Sequence, residues 1–284
     1  MNLSELSEAK LSRRDLLAKA GTVGLGAAAL TMFAGRPAEA ATATVADVLN
    51  FALNTEYLEA EFYTFATAGH GINGVPTPYG PVGTNGTGTQ GTVVGSTLAL
   101  SQVTFPNDQT RAIAQQITTD EQSHVALLRG ILGDLAVAEP QINLSGMDAK
   151  LPTDPFLRFL ALSRAFEDTG VSAYSGGSTL VRGSVSALQT AAQILGVEAY
   201  HASQARLLVA QFTVPTSKLD PLDVLPPPTG TAYFDVTNAL AVTRTASQVL
   251  GILYGASTPT AFAPAGTASG GFFPNGVNGR LRTV

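Results

Sequence analysis

The sequence predicts an all-α fold: a four-helix bundle with a long Gly/Thr-rich insertion after the first helix, and a short fifth helix leading into a C-terminal tail. Three observations predict it. Four long segments carry apolar side chains at helical spacing, each begins at a residue suited to capping a helix, and each places one glutamate inside its apolar stripe.

The first segment runs from about 44 to 69, with Thr44 as N-cap and Asp47 three residues on in capping-box position. A second spans about 108 to 136 behind Asn107 or Asp108. The third covers about 155 to 177, where Asp154 caps and Pro155 takes the first helical position. Ser184 caps a fourth, about 185 to 212, and a shorter fifth covers about 238 to 254. Residues 70–106 are crowded with Gly, Pro and Thr and read as a surface excursion without a core of its own, with a lid as the less favoured reading. About 18 residues separate the second and third helices, enough at ~3.3 Å each to run the length of a ~40 Å helix. That length permits a crossover connection. The chain therefore divides into an address segment (1–40), the bundle (41–213) and a C-terminal extension (214–284) broken at Pro226–Pro228.

Composition narrows the chemistry. The 284 residues contain no Cys, so there is no disulfide framework, no thiolate metal site and no catalytic thiol. The net charge of −5 becomes −6 without residues 1–40, leaving 11 basic against 17 acidic residues, which argues against a nucleic-acid partner. Ser12-Arg13-Arg14-Asp15-Leu16-Leu17 is a twin-arginine pattern ahead of a weakly apolar run, and Pro37-Ala38-Glu39-Ala40 offers small residues at a cleavage site. The expectation is export of the folded protein to the periplasm or the cell exterior. A membrane anchor is the lesser alternative, because the run is short and Gly-rich beside the ~20 apolar residues a spanning helix needs.

The glutamates carry the chemistry. Residues three or four apart share a helix face, so the inward stripes hold Glu56 on the first helix, Glu121 and His124 on the second, Glu167 on the third, and Glu198 and His201 on the fourth. Buried carboxylates cost several kcal/mol each and repel one another unless compensated. No Lys lies on these stripes and only Arg164 comes near one. Two divalent cations would cancel four carboxylates, and two Glu-x-x-His pairs would give one imidazole to each ion. Oxygen and nitrogen ligands without sulfur favour two Fe or Mn ions, with Zn also compatible. Glu59 lies about 60° off its stripe and is an alternative or supporting ligand, whereas Glu61, about 140° off, is expected in solvent. Tyr63 and Tyr174 are read as core aromatics, Asp120 as a carboxylate able to orient a facing histidine, and His70 as a residue at the end of the first helix.

These residues also resemble a family. Leu49–Glu56 followed by Phe62-Tyr63, then Asp120-Glu121-Gln122-Ser123-His124, Phe166-Glu167-Asp168 and Glu198-Ala199-Tyr200-His201, are similar to the ferritin-like superfamily, bacterioferritins and rubrerythrins included. Ser247-Gln248-Val249-Leu250 and the Gly270–Gly276 ending resemble its exported desiccation-related and stress-response members. The resemblance implies Glu56 and Glu167 as terminal carboxylates, Glu121 and Glu198 as bridges, and His124 and His201 with one metal each. It differs at Val197, which stands where some relatives carry an Asp mirroring Asp120.

The expected function is that of an exported dimetal protein reacting with O2 or peroxide, ferroxidase-like or protective against oxidative stress. Glu56, Glu121, Glu167 and Glu198 would then be catalytic as ligands of the reacting metals. The competing expectation is a structural stress protein whose metals only stabilise the bundle. No stable membrane anchor is expected after cleavage, and a homo-oligomer is compatible with either reading.

Overall fold

Thr44 opens the first helix, α1 (Val45–Ala68), by accepting from the Asp47 N–H, while the Asp47 carboxylate accepts from the Thr44 N–H. That reciprocal pair satisfies donors which a helix start otherwise leaves open. Gly69 closes α1 in the left-handed conformation, at φ 76°. Asn107 caps α2 (Asp108–Leu132), Asp154 caps α3 (Pro155–Gly177) with Pro155 at its start, Ser184 caps α4 (Val185–Gln211), and a Thr245–Gln248 box opens α5 (Ala246–Tyr254).

The structure is a computed structural model that describes residues 43–146, 151–214, 239–255 and 263–284. The expected address segment 1–40 and the expected break at Pro226–Pro228 lie outside the described residues, as does residue 238. Two helices are shorter than expected. Helix α2 stops at Leu132, not 136, because Gly133 leaves the helical region and a 3-10 turn (Gly133–Leu135) follows. The fifth helix begins at Ala246, and residues 239–245 are not helical. No helix among the described residues is long and apolar enough to cross a membrane.

The chain folds as an all-α bundle in which α1 packs chiefly on α2 and α3 chiefly on α4, with lighter α1–α3 and α2–α4 contacts. Phe62 stacks on Phe159 and meets the edge of Phe166, locking α1 to α3 at one end of the core. The 70–106 segment does not behave as the coreless excursion expected of it. Ile72, Val82, Ala99 and Phe105 enter the hydrophobic core, β1 (Pro76–Thr77) pairs with β2 (Gly80–Pro81), and β3 (Val93–Val94) runs parallel to β4 (Ile142–Asn143) in the crossover.

Asparagines stitch these irregular segments to α1. Asn50 donates to the Leu135 carbonyl and accepts from the Val137 N–H, while Asn54 donates to the Asn278 carbonyl and accepts from the Asn278 N–H. Each amide gives a loop the donor and acceptor that a neighbouring strand would supply. Asn278 repeats the device, accepting from the Thr89 N–H and donating to the Thr89 and Ala138 carbonyls.

Glu61 corrects the helical-wheel reading. It is buried, not solvated, because the crossover covers its side of α1 and sets Glu139, also buried, against it. The Ile72 N–H donates to Glu61, and the Arg129 charge and His70 are the other ionic groups facing the pair. Burial, and then the charge of Glu61, push Glu139 from 4.5 up to about 9, so the two carboxyls share a proton.

Two outcomes are expected. Asn54→Ala removes three bonds at a fully buried position and lowers unfolding stability by about 2–4 kcal/mol in a urea titration; a change within ~0.5 kcal/mol contradicts the stitching role. The shared proton stabilises the fold fully below the unfolded value of 4.5, and its contribution is lost as pH rises towards about 9. Glu139→Gln keeps a donor for Glu61 without titrating, so its melting temperature declines less steeply than the parent's from about pH 5 to pH 9. Equal slopes would show that no proton is shared.

Candidate metal centre

Each long helix turns one carboxylate to the bundle axis, at Glu56 (α1), Glu121 (α2), Glu167 (α3) and Glu198 (α4), and all four are 0% exposed. The Glu-x-x-His spacing adds His124 and His201 one turn further along α2 and α4. Ligand atoms of Glu56, Glu121, His124 and Glu198 lie within 4.8 Å of one another, as do those of Glu121, Glu167 and His201. Glu121 belongs to both groups. The six residues singled out in the sequence therefore converge on one place.

The donor atoms face common space more than they face each other. His124 Nδ1 stands 3.2 Å from Glu56 and 3.3 Å from Glu121. His201 Nδ1 approaches Glu121 to 2.8 Å and Glu167 to 3.3 Å without the alignment of a hydrogen bond. Both oxygens of Glu167 and of Glu198, Glu56 Oε2 and Glu121 Oε1 likewise have no hydrogen-bond partner. Buried polar atoms are almost always paired, so this concentration of orphans, all on metal-type donors, fits bound cations. Oxygen and imidazole donors suit Fe or Mn.

The electrostatics show the same demand for positive charge. Burial, then the charges of Glu121, Glu167 and Glu56, raise Glu198 well above its ordinary range. Burial raises Glu56 to about 7 even though His124 opposes it. Desolvation alone would depress His124 and His201, yet the surrounding carboxylates overcome it and hold both imidazoles protonated well above their ordinary value. Protons thus occupy the role a divalent ion would fill.

Two tyrosines face Glu56 and Glu167 crosswise. Tyr174 on α3 donates a short hydrogen bond to Glu56 on α1, and Tyr63 on α1 faces Glu167 on α3. The reading of both as core aromatics is thereby extended, since their hydroxyls reach the centre. Asp120 accepts at His201 Nε2 over 3.1 Å and also accepts from Gln116, while Val197 offers His124 no such partner. His70 is exposed and bonds only locally, away from the centre. Arg164, near the stripe in sequence, pairs with Asp168 at 3.2 Å.

Glu59, ambiguous in sequence, is buried beside the cluster as a fifth carboxylate with Oε2 unpartnered. Burial, then Glu198, raise it well above the carboxylate range. Sequence reasoning missed Gly170. A Cβ there would lie 2.0 Å from Glu198 Oε2 and 3.3 Å from Glu59 Oε1, so the absence of a side chain makes room for Glu198. The available signal was a glycine inside a helix, which costs ~1 kcal/mol against Ala and calls for a reason.

Gly170→Ala forces the Glu198 carboxylate to move from its place against residue 170. Its metal content after anaerobic loading, measured by elemental analysis, falls below about half of the parent's, with about 1–3 kcal/mol lost from overpacking. Full metal content in this variant would contradict the need for open space at residue 170.

Comparison with known proteins agrees with this geometry. The chain is similar to a ferritin-like catalase, Nec2, of Nesocodon mauritianus, at 24% identity over 290 positions that cover 83% of this chain and 84% of the relative. No solved structure matches. The family model of the ferritin-like domain matches residues 44–211, which takes in all four long helices and every residue of the centre, and the chain belongs to that family.

Proposed function

We propose that this protein is an exported dimetal enzyme that holds two Fe or Mn ions between Glu56, Glu121, His124, Glu167, Glu198 and His201 and disproportionates hydrogen peroxide. The observation that carries the reading is the closed cluster of unpartnered carboxylate oxygens at the bundle axis. The relative that carries catalase in its name supports peroxide over other oxidants. Two peroxide molecules give two waters and one O2: one peroxide is oxidised by two electrons and the other is reduced by the same two. A pair of such ions, when bound, supplies the uptake and return of both electrons, so that no one-electron radical is released.

The protein's own residues do the rest. Glu121 belongs to both ligand groups and ties them together. Tyr174 fixes the orientation of Glu56, and Asp120 fixes the ring of His201. Complete burial of the four carboxylates restricts access to reactants of about peroxide size and keeps bulk water out. The twin-arginine pattern at Arg13–Arg14 supports export of the folded, loaded protein.

Oxygen release from hydrogen peroxide by metal-loaded protein tests this reading. One O2 per two peroxides is expected, and Glu121→Ala lowers the rate at least about 100-fold. If protein retaining its metals releases no oxygen while Glu121→Ala only lowers the melting temperature, the metals are structural and the enzymatic reading fails.

A further inference from the structure

The residues of the centre repeat in two halves, and the chain breaks the repeat. Glu56 with Tyr63 on α1 matches Glu167 with Tyr174 on α3, seven residues apart in both. Asp120-Glu121 ahead of His124 on α2 matches Val197-Glu198 ahead of His201 on α4. Asp120 therefore has Val197 as its counterpart, and a valine side chain can neither accept nor donate a hydrogen bond. The donor groups are unequal as well. Glu56, Glu121 and Glu198 gather with His124, whereas only Glu121 and Glu167 gather with His201. A metal position with fewer protein ligands keeps coordination sites for a reactant.

The smaller group is also the one that meets the outside. A cleft of about 260 Å³ lies between α2 and α4, walled by Ile113, Ile117 and Val197, with Asp120 and His201 also lining it. Ile117 and His201, each 4% exposed, are deep in it, and Tyr200 stands exposed at its rim. His201 is the wall that the cleft and the centre share. Its Nε2 is 3.1 Å from Asp120, on the cleft side, and its Nδ1 is 2.8 Å from Glu121 and 3.3 Å from Glu167, on the inner side. His124 does not line the cleft. At ~30 Å³ for each water in the liquid, the space suits a few water- or peroxide-sized molecules. An Asp in place of Val197 would add a second carboxylate to this wall; the valine leaves an apolar passage whose width is set by side-chain bulk.

We propose that the α2–α4 cleft is the route by which a small neutral reactant reaches the ion held at His201, and that Val197 is the specificity-determining residue limiting the size of what passes. The inference rests on the dimetal reading above. Asp120 acts here as a positioning residue, holding the ring of His201 in the shared wall.

Nitric oxide binding to the full exported protein, loaded anaerobically with Fe(II) and followed by stopped-flow absorption, tests the proposal. Val197→Trp lowers the association rate at least about 10-fold, with iron content and helical circular dichroism unchanged, and Val197→Ala raises the rate at which tert-butyl hydroperoxide oxidises the bound iron, relative to hydrogen peroxide, at least about 10-fold. Leu188→Trp, on the same helix outside the cleft, leaves both rates unchanged. Iron-loaded Val197→Trp that binds nitric oxide at the parent's rate, or Val197→Ala that discriminates between the two peroxides as the parent does, overturns the proposal. A parent that takes up no iron overturns the dimetal reading with it. Nitric oxide binding needs no turnover, so failure of the catalase reading alone leaves this test decisive.

Discussion

The constraint on which the rest of this structure depends is the burial of like charge. Glu56, Glu121, Glu167 and Glu198 meet at the axis of the bundle, with Glu59 beside them and, among the described residues, no Lys or Arg paired with them. An apolar core would have cost nothing of the kind. Carboxylates in such a place persist only when their charge is cancelled, by protons or by bound cations. The arrangement therefore buries like charge at the expense of stability, the usual relation between a functional site and its scaffold.

Much of the remaining architecture follows from keeping those carboxylates in register. Tyr174 donates to Glu56 and Tyr63 faces Glu167, each seven residues beyond a glutamate of its own helix, so α1 and α3 cannot slide past one another without losing the Tyr174–Glu56 bond. Gly170 gives Glu198 its room, and Asp120 sets the ring of His201. Further out, Asn50, Asn54 and Asn278 fasten the insertion, the crossover and the tail to α1. The Glu61–Glu139 pair does the same with a shared proton. Irregular backbone is thus held by side-chain amides where no sheet is available.

The helices were legible because local chemistry announces them. Thr44 with Asp47, Asp154 with Pro155, and Ser184 each mark a start that the structure keeps, and a single glutamate interrupting each apolar stripe pointed to the centre. What was not legible depends on long-range packing. A helical wheel places Glu61 on the far side of α1 but cannot say that residues 136–144 cover that side. The Gly/Thr-rich stretch 70–106 lacks periodicity, so its anchoring through Ile72, Val82 and Phe105 was invisible. Gly170 looked like a weak point in a helix until Glu198 was seen against it. The second helix overran its true end because two apolar residues, Leu135 in the 3-10 turn and Ala136 just after it, extend the pattern beyond Gly133.

Metal binding is the claim beneath the others, and the most direct measurement is calorimetric melting of metal-free protein during anaerobic titration with Mn(II) or Fe(II). A ligand that binds only the folded state adds about 4 kcal/mol at a thousandfold excess over its dissociation constant, so the melting temperature is predicted to rise steeply until about two equivalents are bound. A melting temperature unmoved by either ion, with under ~0.2 equivalents retained, would contradict the account.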